Sequence, residues 1–335
     1  MTVELNEPSD RAARDRVSGS HVRRASAVER FAGPALLLVM FVGFSIAMPS
    51  TFLTYNNLIA VVNNQTITAI IALGLLLPLA AGVFDISIGG MMTLSVVCVA
   101  AFFKATAGGM PVPVAIALTL LVAVVGGLIN AFLVVNLKIE PFIVTLATGS
   151  IFLGLSQLIA GGKVIVEDIP ESFTDLGRSK LFGVPLPILY VAVLALALWY
   201  LLGHTPFGRQ LYATGNGREA ARLARVPTNR ILYLSFICSA TCASLAGLVY
   251  VARIGAGQPD VGAQYLLPSY AAAFLGSTMI KPGRFNVVGL LVGIGILAIG
   301  INGLQLNGIP SWVIPTFQGG ALVVAVVLTK LRSRS

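Results

Sequence analysis

The sequence predicts an all-α integral membrane protein with about ten transmembrane helices. Its 335 residues are 56% hydrophobic and only 10% charged, whereas soluble domains are nearer a quarter charged. The charges are also clustered, because no Asp, Glu, Lys or Arg occurs in 31–84 or in 285–329. A helix needs about 20 apolar residues to cross a hydrocarbon layer of about 30 Å. Each uncharged block therefore predicts two crossing helices.

Glycine and proline residues separate the apolar segments, and they set the ends of the predicted spans. The ten spans are 31–49, 58–83, 88–106, 112–136, 142–160, 185–203, 230–251, 265–280, 285–303 and 312–329. The segment after Ile129, with Asn130 and Pro141, is similar to the segment after Ile301, with Asn302 and Pro310. Two five-helix halves of opposite topology would explain this similarity, and chance similarity between Gly/Asn-rich segments is the alternative.

The distribution of positive charge predicts the orientation. With ten spans, 17 of the 22 Lys and Arg residues lie on the side of the two chain ends. Positive residues favour the cytoplasm, so both termini are predicted to be cytoplasmic. The chain then divides into a polar tail (1–30), a transmembrane domain (31–331) with a cytoplasmic loop (204–229), and a short tail (332–335). Because the basic residues flank apolar segments, they indicate contact with membrane lipid and not with nucleic acid.

A few polar side chains fall inside the apolar spans, where each one is costly and is a candidate for the path of a solute. These candidates are Asn63, Asn64, Asp85, Asn130 and Asn302. For Asp85 the alternative is a cap at the start of the next helix, with its oxygen on the amide of Ile88 or a neighbour. For the asparagines the alternative is pairing between helices. No metal-ligand spacing and no catalytic cluster is present, so the sequence predicts no metal site and no enzyme active site.

The loop 204–229 contains a predicted short helix from Gly217 to Arg225. Asn216 followed by Glu219 resembles a capping box. Helical spacing places Ala220, Leu223 and Ala224 on one face and three arginines on the other. Such a helix suits a groove on another protein, and a basic helix resting on anionic lipid headgroups is the equal alternative.

Five motifs in one order make the chain after residue 50 similar to the permease subunits of ABC importers for ribose and other monosaccharides. They are 82–90 (GVFDISIGG), 141–148 (PFIVTLAT), 208–221 (GRQLYATGNGREAA), 250–253 (YVAR) with Pro259 and Gly262, and 302–306 (NGLQL). The resemblance implies monosaccharide import across the inner membrane. It also implies three partners: a cytoplasmic ABC ATPase, a soluble sugar-binding protein outside, and a second permease copy. The loop helix would dock on the ATPase, and the coupling residues would be Gly208, Arg209, Gly215, Asn216, Glu219, Ala220 and Arg222.

The chain has no G-x-x-x-x-G-K-[ST] phosphate loop. It is therefore predicted to bind no cofactor itself, and ATP and magnesium belong to the partner ATPase. Departures from the family pattern at Val83, at 266–268 (LLP) and at 281–284 (KPGR) leave the identity of the sugar open. Two other functions remain as alternatives. One is an ion-coupled secondary transporter, which would use several intramembrane acids as ion sites, whereas this chain has one. The other is an ABC permease for branched-chain amino acids.

Overall fold

The computed structural model describes residues 27–310 and 312–333, which form fourteen helices and one short β-hairpin. The helices are α1 (Ala27–Ala47), α2 (Tyr55–Asn64), α3 (Thr66–Ala80), α4 (Ser87–Ala105), α5 (Val112–Val135), α6 (Pro141–Ala160), α7 (Glu171–Arg178), α8 (Leu186–His204), α9 (Pro206–Asn216), α10 (Arg218–Leu223), α11 (Thr228–Ile254), α12 (Ala263–Ser277), α13 (Val287–Leu306) and α14 (Val313–Ser333). Strands β1 (Lys180–Leu181) and β2 (Val184–Pro185) pair antiparallel between α7 and α8. The predicted helical class is confirmed for this part of the chain.

Seven described helices are long and apolar enough to cross a membrane, namely α1, α4, α5, α6, α8, α11 and α13. Helices α2 and α3 together make an eighth candidate, bent by about 40° at Gln65. The predicted eighth span forms α12, whose 15 residues extend about 22 Å. The apolar part of α14, Val313–Val327, is equally short of the hydrocarbon thickness of about 30 Å. The described residues thus hold seven or eight full-length crossings, and the predicted ten are not confirmed.

The ends of the chain differ in detail from the predicted tails. Helix α1 begins at Ala27, so the last four residues of the predicted tail 1–30 are helical. Residues 1–26, 334 and 335 lie outside the described residues. Helix α14 continues to Ser333, into the predicted C-terminal tail. The arrangement in two halves of opposite topology stays a prediction.

The helices form an inner and an outer group. Every residue of α3 is buried, and most of α4 and α11, which pack against each other, is buried as well. Helix α11 also packs against α3 and α5, and α12 packs against α3. Helices α1 and α8, in contrast, expose apolar side chains over most of their surface. An apolar outer surface is what a hydrocarbon solvent requires.

Glycines allow the inner helices to approach one another closely. A Cβ atom on Gly90 of α4 would overlap the carbonyl oxygen of Gly149 in α6. In the same way, a Cβ atom on Gly289 of α13 would overlap the carbonyl oxygen of Gly276 in α12. Helices in lipid gain no hydrophobic energy from associating, so close van der Waals packing between small residues contributes much of their stability.

The end of the fold that carries Ile254 is covered by α7 and the segment before it. Arg178 of α7 donates from Nε to the carbonyl of Arg253 (3.0 Å) and from Nη2 to that of Ile254 (3.0 Å). These carbonyls lie at the C-terminus of α11, where no helical amide can reach them. Ile165 and Gly257 also exchange two backbone hydrogen bonds. The cover therefore fixes the end of α11 and the loop that follows it.

The packing of Gly90 gives a test of the fold. Gly90→Ala introduces a methyl group where there is no room. We expect the free energy of unfolding to fall by about 1–3 kcal/mol, as for other overpacked sites. The measurement is the thermal unfolding midpoint of the detergent-purified chain. Gly154→Ala in α6 is the matched control, because a Cβ atom there meets nothing within 4 Å. Equal midpoints for the two variants would show that the α4–α6 contact is not tight.

Candidate functional site

A break between α3 and α4 carries the one acid that is buried in the described part of the chain. Gly82 adopts φ +79°, a left-handed conformation that favours glycine. Asp85 follows and is 1% exposed. Its Oδ1 accepts hydrogen bonds from the amide (3.1 Å) and the hydroxyl (2.5 Å) of Ser87, and its Oδ2 accepts from the Ser239 hydroxyl (2.7 Å). Asp85 thus accepts a hydrogen bond from the first amide of α4, that of Ser87. This amide is a neighbour of the Ile88 amide that the sequence offered as the alternative role of Asp85.

Two further helices join this break. The Tyr270 hydroxyl of α12 donates to the Asp85 carbonyl (2.9 Å) and accepts from the Asp85 amide (3.2 Å). Asn130 of α5 donates from Nδ2 to the Ser87 hydroxyl (2.7 Å). We call these five residues the Asp85 network. It links α4, α5, α11 and α12 at one point, and the sequence revealed neither Ser239 nor Tyr270 as members.

The hydrogen bonds of the Asp85 network hold helices in position. A buried carboxylate costs far less when its oxygens accept hydrogen bonds, and both oxygens of Asp85 do so. Within the described residues, Asp85 has no Lys or Arg partner. Asn130 Oδ1 is buried and has no hydrogen-bond partner among the described residues. In this conformation Asp85 joins α4, α11 and α12 directly, and Ser87 adds α5 through Asn130.

A second polar site lies where α2 bends into α3. Arg253 of α11 donates from Nη1 to the Asn63 carbonyl (2.9 Å) and to the Thr66 hydroxyl (3.3 Å), and from Nη2 to Asn64 Oδ1 (3.2 Å). We call these four residues the outer polar cluster. The bend frees helical carbonyls, and the guanidinium supplies donors for them. The sequence analysis identifies Asn63 and Asn64 as candidates, whereas Arg253 enters it only as part of the motif at 250–253.

Aromatic and amide side chains surround this cluster. The Tyr250 hydroxyl donates to Gln258 Oε1 (2.7 Å), and the rings of Tyr250 and Tyr265 meet edge to face with centroids 6.5 Å apart. Asn63 Oδ1 is a buried acceptor without a partner in the described residues. Neutral donors and acceptors thus predominate around Arg253, and one buried acceptor has no partner within the described residues.

The remaining predicted path residue, Asn302, lies apart from both sites. Its side-chain amide exchanges two hydrogen bonds with that of Asn57, at 3.0 and 3.1 Å. The pair joins α13 to α2. The structure therefore brings Asp85 and Asn130 together and Asn63 and Asn64 together, and it gives Asn302 a partner between helices.

The loop 204–229 forms two helices, α9 and α10, where the sequence predicted one. The Thr205 hydroxyl accepts from the Gly208 amide (3.4 Å) at the start of α9. A Cβ atom on Gly208 would overlap the carbonyl of Leu202, so this glycine lets α9 fold back on α8. Arg209 is exposed on the first turn of α9.

The end of α9 touches the break that contains Asp85. A Cβ atom on Gly215 would overlap the carbonyl oxygen of Ala80, the last residue of α3. A Cβ atom on Gly82 would lie 3.2 Å from the Cα atom of Gly215. Backbone thus rests directly on backbone, with no side chain between them. The contact joins the end of α9 to the segment before Asp85.

The N-cap of α10 differs from the one that the sequence predicted. Asn216 is the last residue of α9, and Gly217 occupies the N-cap of α10 without a side-chain hydrogen bond. The capping box is therefore wrong, and Glu219 pairs instead with Arg222 at 2.7 Å on the surface. Ala220 and Leu223 are exposed, and Leu223 is 84% exposed. The predicted apolar face thus has no partner within the described chain.

Comparison with known proteins identifies the family of the chain. The family model for the permease component of branched-chain amino acid transport systems matches residues 57–326. The autoinducer 2 import system permease protein LsrD of Photorhabdus laumondii is 32% identical over 302 residues, which cover 89% of this chain and 90% of that protein. The proteins of the same name from Salmonella paratyphi A and Escherichia coli O9:H4 are each 30% identical over 298 residues, 88% of this chain and 89% of theirs.

No solved structure matches this chain. The family model, however, covers most of its length, and the relatives align over nearly nine-tenths of it. Its apolar helices make it a multi-pass membrane protein. The chain belongs to the family of branched-chain amino acid transport system permease components, and it is the permease subunit of an ABC importer.

Proposed function

We propose that the chain imports a monosaccharide or a similar small polyhydroxylated solute. The similar permeases from three bacteria carry autoinducer 2 in their names, and the sequence motifs resemble those of monosaccharide permeases. The outer polar cluster supports the same class, because its neutral hydroxyl and amide groups suit a ligand rich in hydroxyls. Within this proposal, Asn63 and Asn64 border the solute path, and Asp85 and Asn130 form the joint that moves beside it.

The energy is proposed to come from a separate ATPase that binds ATP and magnesium. The observation that carries this mechanism is the contact of Gly215 with Ala80 and Gly82. In the proposed cycle the ATPase docks on α10, its closure displaces α9, and the displacement moves the break before Asp85. Because the Asp85 network joins four helices, movement of the break changes their packing together.

The arrangement in the membrane is part of the proposal. Both termini and the loop 204–229 lie in the cytoplasm of the inner membrane, as the positive residues favour. Helices α12 and α14 then complete ten crossings as short or broken spans, which membrane proteins tolerate where the backbone is buried in protein. A second copy of the permease forms the other half of the passage, and a solute-binding protein delivers the solute from outside.

One alternative solute class has a specific observation in its favour. The matching family is described by branched-chain amino acid transport, so a zwitterionic amino acid is the competing cargo. A zwitterion needs a partner for its carboxylate and another for its ammonium group. Arg253 could provide the first, but three of its five N–H donors are already bonded to the Asn63 carbonyl, the Thr66 hydroxyl and Asn64 Oδ1. For the second, the nearby acid is Asp260, which interacts with Tyr250 but is exposed, and the described residues around Arg253 include no buried acid.

The solute class is tested by uptake into proteoliposomes that hold the chain with its cognate ATPase and binding protein. We expect ATP-dependent uptake of labelled pentoses, hexoses or autoinducer 2, and no competition from an excess of leucine, isoleucine or valine. Competition by the amino acids, with no uptake of any sugar, would assign the other cargo. Uptake that persists without ATP and follows an ion gradient would refute the ABC mechanism.

The docking role of α10 is tested by Leu223→Asp. A charge in the apolar face should weaken binding of the ATPase at least about tenfold, equivalent to about 1.4 kcal/mol, with a matching fall in uptake. The measurement is the affinity of the purified ATPase for the permease in nanodiscs. Leu181→Asp, at an exposed leucine of the hairpin predicted to lie on the opposite face, is the matched control. A normal affinity for Leu223→Asp would exclude α10 as the docking element.

A further inference from the structure

A cavity of about 340 Å³ lies where α8 ends, α9 begins and the chain enters α13. Its size is within the range of about 300–1,000 Å³ that is usual for small-molecule sites. Three cationic side chains line it: Arg209, Lys281 and Arg284. The rest of the lining is Trp199, Leu202, Gly203, His204, Tyr212, Asn286 and Val287. It includes no aspartate and no glutamate.

The three cations have no anionic partner in the part of the chain that the structure describes, where the ion pairs are Lys104 with Glu167 and Arg222 with Glu219. The Arg284 guanidinium lies over the Tyr212 ring, 4.0 Å from its centroid. Burial raises the pKa of Tyr212, against the opposing effect of Arg284. The phenol therefore stays neutral near pH 7, and the cavity keeps an uncompensated positive charge.

The cavity wall is fixed before any ligand arrives. The Tyr212 hydroxyl donates to the Phe285 carbonyl (2.6 Å), which ties α9 to the segment before α13. Asn286 donates from Nδ2 to the carbonyls of Met279 (3.3 Å) and Arg284 (3.0 Å), and its Oδ1 accepts from the Gly289 amide (2.7 Å). A wall held in this way binds an anion without first paying for the ordering of a loop.

The position of the cavity along α8 indicates the depth of a membrane surface. Trp199 and His204 rings lie 4.4 Å apart between centroids, and Tyr200 stacks on His204. Trp and Tyr are enriched at the level of lipid headgroups. The preceding turns of α8 expose Val193 and Leu196, which a hydrocarbon layer would cover. The cavity therefore adjoins a surface along which an acyl chain can lie.

We propose that this cavity binds the phosphate headgroup of an anionic phospholipid, with the acyl chains along the exposed face of α8. Basic pockets between transmembrane helices on the cytoplasmic side are known to take such headgroups. The site needs only that the end of α8 lies at a membrane surface, and it does not depend on the solute or on the docking of α10. Because Arg209 belongs to α9, a bound lipid braces the helix that rests on Ala80.

The experiment titrates the detergent-purified full chain with phosphatidylglycerol and follows its thermal unfolding midpoint. Separate arms use phosphatidylcholine and inorganic phosphate. Arg209→Gln/Arg284→Gln removes two cations from the cavity. Lys138→Gln/Arg230→Gln removes two exposed cations elsewhere on the same predicted face and is the matched control. If the first double variant does not fold, Lys281→Gln alone takes its place, because Lys281 is exposed and its side chain makes no hydrogen bond or ion pair within the described residues.

We expect phosphatidylglycerol to raise the midpoint of the wild type and of the control, and phosphatidylcholine to have little effect. The double cavity variant should need at least about tenfold more phosphatidylglycerol for the same rise, and Lys281→Gln alone about fivefold more, as expected at about 1 kcal/mol for each interfacial cation removed. An equal response of the cavity variant and the wild type would overturn the proposal. A rise produced by inorganic phosphate alone, with none added by the lipid, would overturn it as well. The assay involves no ATPase and no transport, so a failure of the transport mechanism would not affect it.

Discussion

The structure depends on one constraint: a carboxylate buried inside a membrane protein must find donors for both oxygens. Ser87 and Ser239 donate hydrogen bonds to the two oxygens of Asp85, and the Tyr270 hydroxyl donates to its backbone carbonyl. Because these donors come from different helices, satisfying the carboxylate also fixes where α4, α11 and α12 meet. The break that lies between α3 and α4 contains Gly82, whose left-handed backbone comes three residues before Asp85.

Helix α3 connects the end of α9 with the outer polar cluster. Gly215 rests on the end of α3, just before the break, and Arg253 holds the bend at the start of α3. Helix α3 is buried throughout its length, and packed interiors move as discrete units because they compress little. We therefore propose that a displacement at the end of α3 that touches α9 is transmitted to the outer polar cluster by the helix itself.

The sequence predicted the membrane class and most crossing helices, because bilayer thickness imposes long uncharged segments. It did not predict the partners of Asp85, since Ser239 and Tyr270 are 154 and 185 residues away along the chain. Pairing across helices leaves no periodic pattern. The capping box failed for a local reason, because Asn216 completes α9 and leaves the N-cap of α10 to Gly217. The bend at Gln65 likewise depends on Arg253, which is remote in sequence.

We propose that α9 drives the break through the contact of Gly215 with Ala80. This coupling is measured as solute uptake per ATP hydrolysed, in proteoliposomes that carry Gly215→Ala or the matched variant Gly217→Ala. A methyl group at position 215 has no room beside the Ala80 carbonyl, whereas at position 217 it meets only the Ala220 side chain at 3.8 Å. We expect Gly215→Ala to hydrolyse ATP but to lose most uptake, and Gly217→Ala to keep both. Equal uptake per ATP in the two variants would show that α9 does not act through this contact.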